Sequence, residues 1–201
     1  MVLLAGNDLF KGAVFMAIVW WAWFRKDAAR LRTRHQLVAT MFSCGVAIVV
    51  GRALVLTLSP HDGGFGSTGP GKINSFPSDH AVLFFALATG FWFVSRRLGI
   101  LAFAYAAVIV ALPRVYLGYH SPSDILGGAL IGISIVSLGN IYLPRRKSTR
   151  EIVAFSHSKP QYFYPLFYLV SFQVAELFES SRSILGMLFK VIKRAFSAAS
   201  F

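Results

Sequence analysis

The chain has little charge and very few acidic residues for its length. Of its 201 residues 14% are charged, and 8 Asp and Glu stand against 20 Lys and Arg. Soluble domains carry about 25% charged residues, nearly twice this fraction. Hydrophobic residues make up 56% of the sequence. There is too little charge to cover a water-facing surface. The composition therefore excludes an ordinary soluble globule and predicts a membrane protein.

Cysteine is also nearly absent. The single Cys44 lies inside an apolar run, which excludes a disulfide within the chain and leaves the redox compartment open. The first ten residues have no basic stretch ahead of their apolar ones, so we expect no cleavable signal peptide. The net charge of +12 is divided into short clusters between apolar runs. Because it forms no basic face or stripe, we expect no nucleic-acid partner.

Apolar runs dominate what is present, and five of them are candidates for membrane-spanning helices, which need about 20 residues. They cover residues 3–24, 37–58, 81–94, 98–112 and 125–143. The third and fourth runs are short, so we expect their outer ends to stop below the membrane surface. The predicted fold is an all-α polytopic transmembrane helix bundle of five spans. Pro160 and Pro165 interrupt residues 160–181, so we expect that stretch to lie in the membrane interface. A sixth span over these residues is the alternative.

The last quarter of the chain has a different character, so we divide the sequence into a transmembrane catalytic bundle, residues 1–144, and a basic tail, residues 145–201. From Ser183 onward apolar residues recur with a period of 3.6, and basic residues take the opposite face. This pattern predicts an amphipathic helix lying on anionic lipid at the cytoplasmic face. A helix that packs on a partner or on the bundle is the alternative.

The basic linkers indicate the orientation of the bundle. Eleven cations fall in the linkers on one side: Arg25, Lys26, Arg30, Arg32, Arg34, Arg96, Arg97, Arg145, Arg146, Lys147 and Arg150. Only Lys11, Lys72 and Arg114 lie near the other side. Because cytoplasmic loops carry the excess of Lys and Arg, we expect an inner (cytoplasmic) membrane protein with its amino terminus outside. The linkers 59–80 and 113–124 then face the periplasm or exterior together.

Those two outward linkers hold the polar residues that suggest chemistry, and ionisable groups at membrane depth are functional candidates by default. His120 is a competent nucleophile toward phosphorus, and Asp124, four residues later, can hold its far ring nitrogen. His80 can protonate the leaving oxygen. Arg114 offers a bidentate clamp for phosphoryl oxygens, and the N–H groups that begin the helix after Pro77 favour an anion. Phosphoryl transfer of this kind needs no metal and no cofactor.

The two segments resemble the motifs of the type 2 phosphatidic acid phosphatase (PAP2) superfamily, which shares its site with the vanadium haloperoxidases. The motif Ser-Arg-x5-His-x3-Asp is matched by Arg114, His120 and Asp124, with proline before the arginine. Pro-Ser-Gly-His is matched from Pro77 to His80, with aspartate for glycine. This Phe-Pro-Ser-Asp-His form is similar to undecaprenyl diphosphate phosphatases of the bacitracin-resistance type. The first motif, Lys-x6-Arg-Pro, is degenerate, because arginine replaces its lysine and serine its arginine.

The resemblance implies a membrane lipid phosphatase. In it His120 attacks phosphorus to form a phosphohistidine, Asp124 orients it, and His80 protonates the leaving group. The phosphate-binding residues would be Arg52, Ser78, Asp79, Arg114 and Lys72, the last as a replacement for the missing cation of the first motif. The expected partners are the bilayer and a lipid phosphate, with polyprenyl diphosphate as first choice. Phosphatidylglycerophosphate, phosphatidic acid and lipid A phosphate are alternatives, and an alcohol in place of water would make the protein a phosphotransferase.

Several of these residues also have structural interpretations. Ser121, Pro122 and Asp124 form a good helix start in which the aspartate acts as a cap. Asp79 can simply favour the positive end of its helix, and Arg52 can extend to the interface without touching a substrate. The rival for the whole protein is a weakened binder or scaffold that keeps the shape of the site. Vanadium-dependent halogen chemistry is a distant third, because those relatives are soluble.

Overall fold

A computed structural model describes residues 12–26, 28–58 and 76–177, and within these ranges the chain forms helices and no strand. In chain order the helices are α1 (Val14–Phe24), α2 (Arg30–Leu58), α3 (Asp79–Val94), α4 (Arg96–Tyr116), α5 (Pro122–Tyr142), α6 (Lys147–Ser158) and α7 (Pro160–Ala175). A 3-10 turn, Leu143–Arg145, joins α5 to α6. The predicted all-α membrane bundle is confirmed.

Three helices in the described ranges are long and apolar enough to cross a membrane, and they belong to α2, α4 and α5. The expectation of a short fourth span is wrong, because α4 continues through Pro113 as far as Tyr116. Pro113 lacks the N–H that a helical residue donates to the carbonyl group four residues earlier. That carbonyl group lies in a π-helical stretch, Ala106–Ala111. Local π adjustment is one way in which spanning helices accept proline. The outer part of the first predicted span lies outside the described residues.

Helix α3 is the centre of the bundle and is the short span that the sequence predicts. It has 16 residues, or about 24 Å of helix. Every residue from Ala81 to Phe91 except Phe85 is buried, and the helix packs against α2, α4 and α5. Side chains of α2 that point away from α3 are apolar and exposed, as in Phe42 at 65% and Val49 at 69%. Exposed apolar faces around a buried centre are what a bilayer requires of the outer helices.

Small residues allow α3 to approach α5 closely. A Cβ atom on Gly128 would lie 2.7 Å from the carbonyl oxygen of Ser78, and one on Gly132 would meet the carbonyl oxygen of Val82. Both contacts are with the backbone of α3, which has no means of turning aside. The two glycines are spaced four apart, the arrangement by which membrane helices bring their backbones together. This glycine seam, formed by Gly128 and Gly132, fixes the position along the axis of α5 at which α3 begins.

Polar side chains buried between spanning helices make their hydrogen bonds within the protein. Asn140 on α5 donates to the Thr40 hydroxyl on α2 at 3.0 Å and to the Val136 carbonyl group at 3.1 Å. The Thr40 hydroxyl donates to the Gln36 carbonyl group at 2.8 Å. Interhelical hydrogen bonds of this type stabilise membrane bundles by about 0.6 kcal/mol on average.

The opposite end of the bundle from α3's first residue contains a buried cation. Arg34 is 1% exposed; its Nε donates to the Trp23 carbonyl group at 3.1 Å, and its guanidinium stacks on the Trp23 ring. A nitrogen of the same group contacts His157 Nε2 at 2.7 Å, and His157 Nδ1 lies 2.9 Å from the Val153 carbonyl oxygen. His157 lies in α6 and contacts Arg34 of α2, which in turn donates to Trp23 of α1.

Helix α7 pairs with α1 in the antiparallel direction. Phe163 stacks on Trp23 with ring centres 5.2 Å apart, and at the other end a Cβ atom on Gly12 would meet the backbone of Ala175. Pro165 lies within α7 and does not interrupt it. The aromatic stretch therefore follows α1 through the bundle. A sixth crossing, the division at residue 144 and the amphipathic helix from Ser183 stay predictions, since their remaining residues lie outside the described part.

Candidate active site

The segments that precede α3 and α5 meet directly. The Ser78 backbone N–H donates to the Asp124 carbonyl oxygen at 3.1 Å, and the Phe76 ring covers the position where Gly127 has no side chain. Because the glycine seam holds the two helices at this height, the first turns of α3 and α5 lie side by side. The two linkers that the sequence predicts to share one face are thus brought together at one end of the bundle.

The start of α5 is a capping box built on one carboxylate. Ser121 is the N-cap; its backbone N–H donates to Asp124 Oδ2 at 2.9 Å, and its hydroxyl accepts from the Asp124 N–H at 3.3 Å. The same Oδ2 lies 3.8 Å from His120 Nδ1. The Asp124 carboxylate therefore both caps α5 and lies against the histidine, and the same oxygen takes part in both contacts.

Burial and charge act on His120 in opposite directions. Its side chain is 10% exposed, and this burial lowers the pKa of the imidazole below its ordinary value of 6.5. The Arg114 charge lowers the pKa further, while the Asp124 carboxylate raises it. Because burial and the Arg114 charge outweigh the carboxylate, the pKa of His120 stays below 6.5 and the imidazole is neutral near neutral pH. The contact with Asp124 occupies the Nδ1 side of the ring, which turns Nε2 away from the carboxylate.

Arg114 lies in the last turn of α4, where the sequence placed it in a loop. The difference arises because α4 runs past Pro113. The Arg114 carbonyl oxygen accepts the Tyr119 N–H at 2.9 Å, and Gly118 between them has φ +70°, a left-handed conformation that glycine adopts without strain. The chain therefore folds back at once, so that buried Arg114 and His120 lie on the same turn.

Ser78 occupies the N-cap position of α3, but its hydroxyl makes no capping hydrogen bond. The residue is fully buried, and its Oγ has no hydrogen-bond partner among the described residues. A buried hydroxyl without a partner is costly, and here it lies beside the first N–H groups of a helix. This is the arrangement expected of a group that receives an anion. His80 follows two residues later in the same turn.

Arg52, in the last part of α2, reaches the start of α3. Its Nη2 lies 2.7 Å from Asp79 Oδ2, with side chains 37% and 17% exposed. Arg52 Nε is buried and has no hydrogen-bond partner in the part of the chain that the structure describes. The Asp79 carboxylate is also within electrostatic range of Arg114. The arginine thus enters the site and does not simply extend to the membrane surface.

The structure brings together seven of the eight predicted site residues: Arg52, Ser78, Asp79, His80, Arg114, His120 and Asp124. Lys72 lies outside the described residues. No group of three or more His, Cys, Asp and Glu side chains in the described ranges is arranged to hold a metal ion. Sequence reasoning missed the Arg52–Asp79 ion pair, which joins residues too distant in the chain for any spacing rule. It also missed the glycine seam, although the four-residue spacing of small residues was a readable signal.

This arrangement defines a class of protein: an all-α membrane bundle with paired histidine segments at the starts of two adjoining helices. Residues 55–148 match the model of the PAP2 superfamily, the family whose motifs the sequence resembles. The matched range contains every described site residue except Arg52.

Two curated proteins are similar to this chain. The first, from Escherichia coli (strain K12), is named "Putative undecaprenyl-diphosphatase YbjG" and is 32% identical over 136 residues, 63% of this chain and 64% of its own length. The second, "Bacitracin transport permease protein BcrC" from Bacillus licheniformis, is 39% identical over 64 residues, 30% of this chain and 29% of its own. The chain therefore spans less than two thirds of either relative. No solved structure matches it.

Proposed function

We propose that this protein is an integral membrane lipid phosphatase that hydrolyses a lipid phosphate or diphosphate through a phosphohistidine at His120. The observation that carries the proposal is the neutral, largely shielded His120 held against Asp124, beside Arg114 and the unpartnered Ser78 hydroxyl. Few groups other than a phosphoryl group need a nitrogen nucleophile, arginine side chains and helix N–H groups at one point.

The geometry suggests a two-step reaction. His120 Nε2 attacks phosphorus, the bond from phosphorus to the leaving oxygen breaks, and His80 gives that oxygen a proton. Asp124 stabilises the imidazole as it becomes positively charged. Water then attacks the phosphohistidine while His80 takes its proton, which releases inorganic phosphate and restores neutral His120. Arg52, Arg114, Ser78 and the α3 N–H groups hold the three equatorial oxygens, so the step requires no metal.

Polyprenyl diphosphate is the first choice of substrate. The relative YbjG carries undecaprenyl diphosphate in its name, and the site lies where helices with exposed apolar faces end. A lipid-linked phosphate reaches such a site without leaving the bilayer. With this substrate the terminal phosphorus is attacked, and polyprenyl monophosphate leaves. On the proposed orientation the reaction takes place at the outer face of the cytoplasmic membrane.

The test is phosphate release by purified full-length protein in detergent, with chelator and without added metal. Undecaprenyl diphosphate, phosphatidic acid, phosphatidylglycerophosphate and lipid A are compared for wild type and His120→Ala. We expect undecaprenyl diphosphate to be turned over fastest by wild type and His120→Ala to lose at least about 10³-fold in kcat. Lys72→Ala is assayed alongside, with a lower rate expected if Lys72 supplies the missing cation.

Each other outcome contradicts a stated part of the proposal. Turnover that survives His120→Ala removes the nucleophile assignment. Faster turnover of another lipid changes the substrate, and activity that requires added metal removes the metal-independent mechanism. Absence of turnover on every lipid favours the lipid-phosphate-binding scaffold.

A further inference from the structure

An ion pair between two helices lies inside the proposed phosphate site. Arg52 Nη2 of α2 and Asp79 Oδ2 of α3 are 2.7 Å apart, a short charge-assisted contact. Asp79 is the less exposed partner at 17%, so the carboxylate is largely shielded while the arginine reaches over it. Both residues are also departures from the motifs that the sequence resembles, and the structure places the two departures in contact.

The contact uses one edge of the guanidinium and leaves another edge for a ligand. Arginine has five N–H donors in a rigid plane, and Asp79 takes one at Nη2. The Nε atom of Arg52 is buried without a protein hydrogen-bond partner among the described residues. The Ser78 hydroxyl, directly before Asp79 in the chain, is in the same condition. Two buried polar atoms are thus without a partner, one on Arg52 and one on the residue before its ion-pair partner, which indicates a bound group that accepts hydrogen bonds from both.

We propose that Asp79 is a positioning residue, whose carboxylate holds the Arg52 guanidinium so that its Nε edge meets a phosphoryl oxygen. This inference rests on the proposed function. A long arginine side chain has many rotamers in the absence of a partner, and ordering it before the substrate arrives lowers the entropy that binding must overcome. Asp79 itself does not contact the phosphoryl group, which it would repel.

Two other roles for Asp79 give different results when Arg52 is changed. As a favourable charge at the N-terminus of α3, Asp79 would act on the helix whether or not Arg52 is present. As a plain negative charge in the site, it would weaken anion binding, so its removal would tighten that binding. A positioning residue has no effect once the residue that it positions is lost.

The experiment is a double-mutant cycle with wild type, Asp79→Asn, Arg52→Gln and the double variant. We expect Asp79→Asn to lower kcat/KM for undecaprenyl diphosphate by about 10- to 100-fold in wild type, the range for a lost charge-assisted hydrogen bond. In the Arg52→Gln background the same change should cost less than about twofold. A similar loss in both backgrounds overturns the inference.

A matched control is the exposed ion pair of Lys147 and Glu151 on α6, whose side chains are 86% and 64% exposed. Glu151→Gln removes one negative charge from the protein as Asp79→Asn does, and we expect no change in kcat/KM. Thermal unfolding of each variant in detergent checks that the bundle is intact. If Asp79→Asn does not fold, Asp79→Glu replaces it, with a smaller loss expected in wild type and none in Arg52→Gln.

Orthovanadate provides a readout that needs no turnover, because it imitates phosphate. Its dissociation constant is measured by thermal stabilisation of the same proteins. We expect Asp79→Asn to weaken orthovanadate binding only where Arg52 is present, whereas tighter binding overturns the inference. Wild type that binds orthovanadate with this dependence but hydrolyses no lipid contradicts the proposed function and leaves the positioning role standing.

Discussion

A single carboxylate oxygen joins the start of a helix to the histidine beside it. Asp124 Oδ2 accepts the Ser121 N–H at 2.9 Å and lies 3.8 Å from His120 Nδ1. Contacts of this kind between catalytic groups often shorten when a reacting group binds. The carboxylate thus has a structural and a chemical function, which a substitution can separate.

Asp124→Asn separates the two functions because an amide oxygen still accepts the Ser121 N–H. The neutral amide no longer stabilises a positive imidazole, so we expect kcat to fall by about 10²- to 10⁴-fold. We expect the thermal unfolding midpoint in detergent to change by only a few degrees. Assays of phosphate release and unfolding on the same preparation check both expectations. A fall in kcat accompanied by unfolding would show that the loss is structural.

The pH dependence of the reaction follows from the same histidine. Because the folded protein lowers the pKa of His120 below 6.5, the neutral nucleophile persists at pH values below the ordinary histidine range and is lost as the pH falls through the lowered pKa. We expect the acid limb of kcat/KM to lie below pH 6.5. Arg114→Gln removes a cause of the lowering, so its acid limb should lie at higher pH. A pH–rate series on both proteins measures this, and an unshifted limb contradicts the assigned cause.

At the scale of helices, the glycine seam between α3 and α5 decides whether the site forms. The start of α3 carries Ser78, Asp79 and His80, and the start of α5 carries Asp124. A side chain at Gly132 would meet the Val82 carbonyl oxygen and lie 3.1 Å from the Ala86 nitrogen. Since both are backbone atoms, the helices can only move apart.

Gly132→Leu therefore should destabilise the bundle and separate the site segments. Overpacking of this kind costs about 1–3 kcal/mol, and we expect a lower unfolding midpoint together with loss of phosphate release. Gly45→Ala is the control, because a Cβ atom there meets nothing within 4 Å. That change should raise helix stability by about 0.5–1 kcal/mol. Equal effects of the two substitutions would show that close helix approach is not what the seam provides.

Element boundaries were predicted from the sequence where a local signal exists. Ser121, Pro122 and Asp124 predicted the start of α5 correctly, since an N-cap, an N1 proline and an N3 acid act through neighbouring backbone groups. The end of α4 was predicted too early, because Pro113 suggested a stop that the π-helical stretch before it accommodates. Pro165 misled in the same way in α7.

At the scale of the whole molecule, the class of fold and the gathering of the site follow from the sequence, and the long-range contacts do not. Alternation of apolar runs with basic linkers predicts which helix ends share a face, so the motif residues could be placed together. The Arg52–Asp79 pair and the Arg34–His157 contact depend on helix rotation and height. Those are set by packing of buried surfaces, which single-sequence patterns do not specify.

The orientation of the bundle is a prediction that labelling tests. Tyr116, 75% exposed, lies at the site end, and exposed Ser148 lies in α6 beyond the other end. In a Cys44→Ala background, we expect Tyr116→Cys to react with a membrane-impermeant thiol reagent in intact cells. We expect Ser148→Cys to react only after permeabilisation. The reverse pattern would place the site in the cytoplasm. The unmodified protein is the control, because Cys44 is fully buried.

The buried Arg34 has a consequence for how the protein is made. Its carbonyl partner on Trp23 is synthesised before it, whereas its histidine partner, His157, follows more than a hundred residues later. During synthesis the guanidinium is therefore incompletely satisfied until α6 emerges and docks. The segment after α5 thus completes the surroundings of a charged group late in synthesis. A chain that stops before α6 contains every described site residue yet leaves the Arg34 guanidinium without its His157 contact.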